Sequence, residues 1–311
     1  MRQIQMRRLT TAVLIVFSLF VSVSAFAADY ANPQLVVAPA DVEKNTGKWV
    51  VIDCRDKEAT TDKKTGETSK GYTDGHIPGA ITLGGDCGKV LREKETATVF
   101  RIPQPYEKLL GDAGISNDST VVVYGDAKRI TSTAVGFWVL EYLGHKDVRF
   151  LNGGIEAWEA AGKKLTTEET KLPPAKYAVK FQKKRIATTD EVLKIAKGEV
   201  KDAQLVDSRT PAEFKGEDVR AKRGGRIPNC LLNVSHTETF DRKTGMIKSA
   251  DELEKLYGKL DKNKRVIPMC QTGTRSTLTY LQYRLMGFKD PANYDDSWII
   301  WGNTEDLPIE K

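Results

Sequence analysis

The chain has 311 residues, with 48 Lys and Arg against 42 Asp and Glu, a formal net charge of +6 and four cysteines. So mild a balance, with its cations spread along the chain, argues against a nucleic-acid surface. Four cysteines are too few for a disulfide-stapled scaffold, so the fold must rest on hydrophobic cores, and no Cys/His cluster has the spacing of a metal site; neither a metal nor a cofactor is expected.

Residues 1–27 read as a Sec-type signal peptide. Arg2, Arg7 and Arg8 precede the apolar run 12–23, and Ala25 and Ala27 form a small-residue cleavage pattern. The run is too short for a comfortable membrane span, and no cysteine follows it to carry a lipid. Export to the periplasm or the medium, with cleavage near Ala27 and no stable membrane anchor, is the expectation. Removing three of the 48 cations leaves +3 against the 42 acids.

The remainder repeats itself. WVVIDCRD (49–56) recurs as AQLVDSRT (203–210), GHIPGAITL (75–83) as GRIPNCLLN (225–233), and STVVVYGD (119–126) as KRVIPMCQ (264–271). LEYLGH (140–145) then matches YRLMGF (283–288), and NGGIEAW (152–158) matches YDDSWIIW (294–301). Five segments in one order mark a duplicated domain: a first copy over 28–165, a polar extended linker over 166–185 with Pro173–Pro174, and a second copy over 186–311.

Within each copy short β-branched runs alternate with helical patterns. Val121–Tyr124 has the composition of a buried strand, and residues 133–144 have helical spacing with Gly144 as the stop. TTDE (188–191) and SADE (249–252) fit the capping box that opens a helix. Strands alternating with helices predict an α/β fold with a mainly parallel sheet in each copy. The polar stretch 57–71 of the first copy is expected to be a surface loop without chemistry. Cys54 and Cys87 are candidates for a disulfide that sequence alone leaves open.

The chemistry concentrates at one place. A strand over Arg265–Met269 ends at Cys270, the loop Gln271-Thr272-Gly273-Thr274-Arg275 follows, and a helix from about Ser276 carries Leu278, Leu281, Tyr283 and Leu285 inward. A reactive cysteine acts as the thiolate and needs cations, amides or a helix N-terminus to stabilise it. Gly273 permits a positive φ, successive amides can then converge on one centre, and Arg275 adds a cationic fork. The plain alternative is a buried core cysteine beside a surface arginine. The first copy speaks against it: its equivalent loop, YGDAKRITST (124–133), keeps strand and helix, lacks the cysteine and reads as two residues longer.

These motifs, VIDCRD, LVDSRTPAEF, GHIPGAITL, CQTGTRS and LNGGIEAW, together resemble a tandem-domain rhodanese, a family of thiosulfate and 3-mercaptopyruvate sulfurtransferases. The resemblance implies two rhodanese-like domains, each a mainly parallel sheet flanked by helices, of which the second is catalytic. It implies double displacement through a persulfide on Cys270, with a small anionic sulfur donor and a thiol or cyanide acceptor. Gln271, Thr272, Gly273, Thr274 and Arg275 match the active-site loop. Arg209 matches a substrate-binding arginine, with a structural ion pair, for example to Glu213, as its alternative. The loop equals neither the C-R-K-G of thiosulfate-preferring members nor the C-G-S-G of mercaptopyruvate-preferring ones, so the donor (thiosulfate, mercaptopyruvate or polysulfide) stays open.

Three other readings were weighed. A Cys-loop phosphatase or arsenate reductase needs five residues between Cys and Arg, and here there are four. A Cys–His hydrolase finds only His236 in the second copy, with nothing marking it as a base. A persulfide or metalloid carrier needs the same thiolate and is separated from an enzyme only by turnover. In an oxidising compartment Cys270 would rest as a persulfide or depend on a protein reductant.

Overall fold

The computed structural model describes residues 29–63 and 65–311; the signal peptide reading falls on residues outside these. The first module runs β1 (Val36–Val37), α1 (Pro39–Lys44), β2 (Val50–Asp53), the hairpin β3 (Thr60–Thr61) and β4 (Thr68–Ser69), then β5 (Ala80–Thr82), α2 (Cys87–Val90) and α3 (Gln104–Asp112). It closes with β6 (Val121–Tyr124), α4 (Ile130–Tyr142), β7 (Val148–Leu151) and α5 (Gly154–Ala160). Its sheet has the order β1-β7-β6-β2-β5, and every pairing in it is parallel.

The second module repeats this with β8 (Ile186–Ala187), α6 (Thr189–Ala196), β9 (Ala203–Asp207), α7 (Pro211–Lys215), β10 (Cys230–Asn233), α8 (Ala250–Tyr257) and β11 (Arg265–Met269). It ends with α9 (Arg275–Leu285), β12 (Asp290–Pro291), β13 (Asn293–Tyr294) and α10 (Ser297–Trp301). The order is β10-β9-β11-β12, with β13 and β8 paired separately. One strand of the first module, β7, pairs with both β6 and β1. Its counterpart is interrupted after Pro291, which has no N–H to give to a ladder, so β12 pairs with β11 and β13 with β8.

Helices α4 and α9 are buried on every face, although α4 is largely apolar and α9 carries Ser276, Thr277, Thr279 and Gln282 among its buried residues. Each lies between its own sheet and the other helix, so residues on every face of α4, from Ile130 to Tyr142, and of α9, from Ser276 to Leu285, are buried. Burying a residue such as Phe137 or Leu281 in this seam contributes roughly 1.5–3 kcal/mol. Polar ties fix the register of the two helices: Glu141 accepts from Tyr280 Oη at 2.5 Å and pairs with Arg284 at 2.8 Å. One continuous core thus spans both modules.

Ser249 and Glu252 form the full capping box. At Thr188 only half of it forms: Thr188 accepts from the Glu191 amide, but the Glu191 carboxylate turns to Arg265. The segment 166–185 is extended, yet it is bound along the first module, Ala175 N donating to Gly111 O at 2.9 Å and Lys180 N to Leu143 O at 2.9 Å, with Tyr177 buried. The 57–71 stretch contains the β3–β4 hairpin. Cys54 and Cys87 form a disulfide. Among the described residues no helix is long and apolar enough to cross a membrane.

Candidate active site

The site lies at the carboxyl end of β11, where open parallel sheets leave a crevice for ligands. Cys270 is the first residue past the strand and is fully buried. Its amide donates to Ser297 Oγ at 3.1 Å, and its carbonyl accepts from Trp298 N at 3.0 Å. The chain then turns through Gly273, whose φ is +71°. A Cβ there would lie 2.4 Å from Asp295 O, so no other residue fits. Asn293 Nδ2 holds the Gly273 carbonyl at 3.1 Å. Among the described residues the amides of Gln271, Thr272, Gly273 and Thr274 donate to no protein acceptor. A loop of free amides running into the N-terminus of α9 is a place where negative charge on sulfur is stabilised.

Arg275 opens α9. Its guanidinium makes a bidentate pair with Glu213, both bonds 2.7 Å, and Glu213 is 0% exposed. Burial disfavours the charged form of Arg275, but the Glu213 bonds and the adjacent Cys270 sulfur outweigh it and raise its pKa. Burial likewise pushes Glu213 upward, yet Arg275 and the Thr210 donors prevail and hold it at about 2. The arginine is therefore a permanent cation whose direction is fixed by Glu213. Ser276 Oγ sits 3.6 Å from Cys270 Sγ and donates to Gly273 O at 3.0 Å. His236, near Arg275, has its pKa lowered to about 4 by burial and by that cation, so it is neutral at neutral pH.

The loop residues named from sequence thus converge, each with an identifiable contact. Gln271 Nε2 donates to Arg220 O at 2.9 Å, and the hydroxyls of Thr272 and Thr274 lie 3.3 Å apart. Arg209 lies in a buried ion pair, with Asp207 as its partner. It is 1% exposed, Nε and Nη2 hold both Asp207 carboxylate oxygens, and Nη2 also donates to Gly225 O at 2.8 Å. Arg55 repeats these contacts on Asp53 and Gly75 O in the module without a nucleophile. The same ion pair thus occurs in both copies. The pairing of Arg209 with Glu213 does not form, because Glu213 belongs to Arg275. Arg209 supports the site indirectly, its guanidinium 4.1 Å over the Trp298 ring.

The first module shows what was lost or never gained. Gly125 stands where Cys270 stands, its carbonyl accepting from Ile155 N as that of Cys270 accepts from Trp298 N. The loop expected to be two residues longer is instead a short turn: Asp126 caps a 3₁₀ segment over Ala127–Arg129 that continues directly into α4. The two extra residues lengthen the helix, 13 residues against 11 in α9. A cavity of about 220 Å³ remains at this end, lined by Arg55, Lys70, Asp126 and Glu156 among others.

Sequence reasoning did not single out Ser276, Ser297 or the crossing residue Arg92, which donates to Thr274 Oγ1 at 2.7 Å and to Thr272 O at 2.5 Å. Ser297 was findable. It occupies the left-handed region at φ +46°, where the first copy has Gly154 at φ +52°, and a serine in a position built for glycine signals a task for its hydroxyl.

Comparison with known proteins agrees with this geometry. The model of the rhodanese-like domain matches twice, over residues 38–161 and 188–304. The chain is 35% identical over 299 residues to the sulfur carrier protein TtuD of Thermus thermophilus, covering 91% of this chain and 98% of that one. It is 33% identical to a thiosulfate sulfurtransferase of Corynebacterium glutamicum, covering 91% and 92%. In fold it is similar to the anaerobic ergothioneine biosynthesis enzyme of Chlorobium limicola, with a TM-score of 0.77 and 22% identity over 91% of this chain and 71% of that one. The two modules, the matched relatives and the cysteine loop lead to one conclusion: this chain belongs to the rhodanese family, as a tandem of two rhodanese-like domains.

Proposed function

We propose that this protein is an exported sulfurtransferase that moves a sulfane sulfur from a small anionic donor to a thiol or cyanide through a persulfide on Cys270. The observation that carries the reading is the asymmetry of the duplication: in the second module a cysteine opens the loop of unpaired amides that leads to Arg275, with Ser276 Oγ 3.6 Å from its sulfur, and Gly125 occupies its place in the first. In the first step the Cys270 thiolate attacks the outer sulfur of the donor. The S–S or C–S bond of the donor breaks, and the electron pair leaves with sulfite or with the enolate of pyruvate. In the second step the acceptor attacks the outer sulfur of the persulfide and the Cys270 thiolate departs. Loop amides and Arg275 stabilise the negative sulfur in both resting forms.

Burial of Cys270 favours donors as small as thiosulfate or 3-mercaptopyruvate, and Arg275 favours an anion. Gln271 to Thr274 are proposed to line the donor's approach. The leader-like residues 1–27 and the Cys54–Cys87 bond support an oxidising, extracytoplasmic location.

The test is thiocyanate release from cyanide by the mature protein with each donor, against Cys270→Ser. Multiple turnovers abolished by the substitution are expected. A second reading, a carrier that loads one sulfur and passes it to a partner protein, is favoured by the likeness to a sulfur carrier protein. Persulfide formation on Cys270 without turnover, from protein with a demonstrably free thiol, would establish the carrier and overturn the enzyme.

A further inference from the structure

Each module projects a hairpin onto the other module's strand ends. In the first it is closed by the bridge Arg92–Val99, in the second by the bridge Phe240–Ile247, each spanning the same number of residues. Their contacts are reciprocal. Val99 N donates to Asp295 Oδ2 at 2.8 Å, and Ile247 N donates to Asn152 Oδ1 at 2.9 Å; Asp295 and Asn152 are matched positions of the repeat. Two differences break this pseudo-symmetry. Arg92 stands where the other hairpin has Phe240, and Asp295 where the other module has Asn152. Both changes fall beside Cys270, and together they make one buried ion pair, Arg92 Nη2 to Asp295 Oδ1 at 2.8 Å, with side chains 2% and 1% exposed.

The pair ends on the loop. Arg92 Nη1 takes the Thr274 hydroxyl at 2.7 Å, and Nη2 takes the Thr272 carbonyl at 2.5 Å. Those bonds hold the peptide unit before Gly273 and the side chain of the residue after it, so they grip the turn on both sides. A mere interface ion pair would need neither of them. An arginine fork is the one side chain able to hold a carboxylate, a hydroxyl and a carbonyl from one position. We propose that Arg92 is a positioning residue for Cys270, delivered by the nucleophile-free first module, and that holding the loop's amides on the sulfur is the contribution of that module to the reaction. The inference rests on the reading of Cys270 as the reactive thiol, but not on the identity of donor or acceptor.

The informative variant is Arg92→Met with Asp295→Asn in the full chain. It removes both charges together, so that neither is left buried and alone, and it restores at 295 the residue type of the first module. Arg92→Lys is the conservative companion, since one ammonium replaces the fork. Two readouts are taken: the pH profile of Cys270 alkylation by iodoacetamide, followed by peptide mass spectrometry, and kcat and KM for thiocyanate formation from thiosulfate. In the double variant, alkylation at pH 7 is expected to slow at least ten-fold with its midpoint moved to higher pH. The kcat is expected to fall ten- to hundred-fold with KM within three-fold, and Arg92→Lys to lie between. A double variant with the wild-type alkylation profile overturns the proposal, whether or not its melting temperature or kcat drops, because a structural role alone would leave the thiol unchanged. A shifted profile in a protein that never turns over leaves the proposal standing and removes the enzyme reading. A wild-type Cys270 no more reactive than Cys230 overturns both.

Discussion

Replacing Glu213 by Gln sets two effects of the Arg275 pair against each other. The substitution keeps the volume and one oxygen for the Thr210 cap, but removes the charge that holds Arg275 by two 2.7 Å bonds. Breaking a buried pair costs about 3–5 kcal/mol. Arg275 is 16% exposed and regains some hydration, which places the expected loss nearer 2–3 kcal/mol, or roughly 5–10 °C in Tm. Electrostatics at the sulfur moves the other way. At an effective dielectric of about 20, the carboxylate paired with the loop's arginine opposes the thiolate's charge by on the order of 1–2 kcal/mol before screening. Its removal should lower the pH midpoint of Cys270 alkylation by up to about one unit.

Sulfur transfer should nevertheless fall, by about ten-fold or more, because the guanidinium loses its direction and a near-attack geometry is lost faster than a more acidic thiol compensates. Alkylation profiles and steady-state thiocyanate formation, measured on the same preparations, separate the two. A midpoint that rises together with unchanged transfer would refute the reasoning, since it would mean that Glu213 neither opposes the thiolate nor aims the arginine.

Ser297→Gly relieves a left-handed backbone that costs a non-glycine residue about 1–2 kcal/mol, and loses the bond to the Cys270 amide. Denaturant midpoints should show it within about 1 kcal/mol of the wild type, whereas Ser297→Ala, which keeps the strain and loses the bond, should be destabilised by about 1–2 kcal/mol. Cys54→Ser with Cys87→Ser opens a loop of 33 residues and should cost about 2–4 kcal/mol of stability in urea unfolding, with Cys270 alkylation unchanged. His236 has a folded pKa near 4 against 6.5 unfolded, so its neutral form contributes stability that is complete above pH 6.5 and lost as pH falls toward 4, by at most about 3 kcal/mol. Unfolding curves across pH 4–7 should flatten in His236→Asn. Glu213 adds its own loss lower down, between pH 4.5 and about 2.

The duplication, the parallel α/β class and the loop from Gln271 to Arg275 between β11 and α9 were all legible in the chain, because each depends on local pattern: strand runs, a glycine that must turn, a cysteine present in one copy and absent from the other. Backbone chemistry within ten residues suffices for these. Where partners are distant in sequence, pattern alone was insufficient. The carboxylate that Arg209 holds is Asp207, in a pair that Arg55 and Asp53 duplicate. Glu213, a possible partner for Arg209, belongs to Arg275, 62 residues away. Thr188 opened its helix as expected, but Glu191 was drawn to Arg265 by a charge that no helix signal encodes.

The sharpest case is Arg92, a single arginine in a polar stretch with no motif around it. Its role exists only because α4 packs on α9 and brings the first module's hairpin over the second module's loop, 180 residues away in sequence. Sequence by itself determined that this protein is a doubled rhodanese fold with a cysteine at the end of β11 in the second copy alone. The tertiary structure decided which charges reach that loop, because ion pairs are chosen by proximity across the packed interface and not by spacing along the chain.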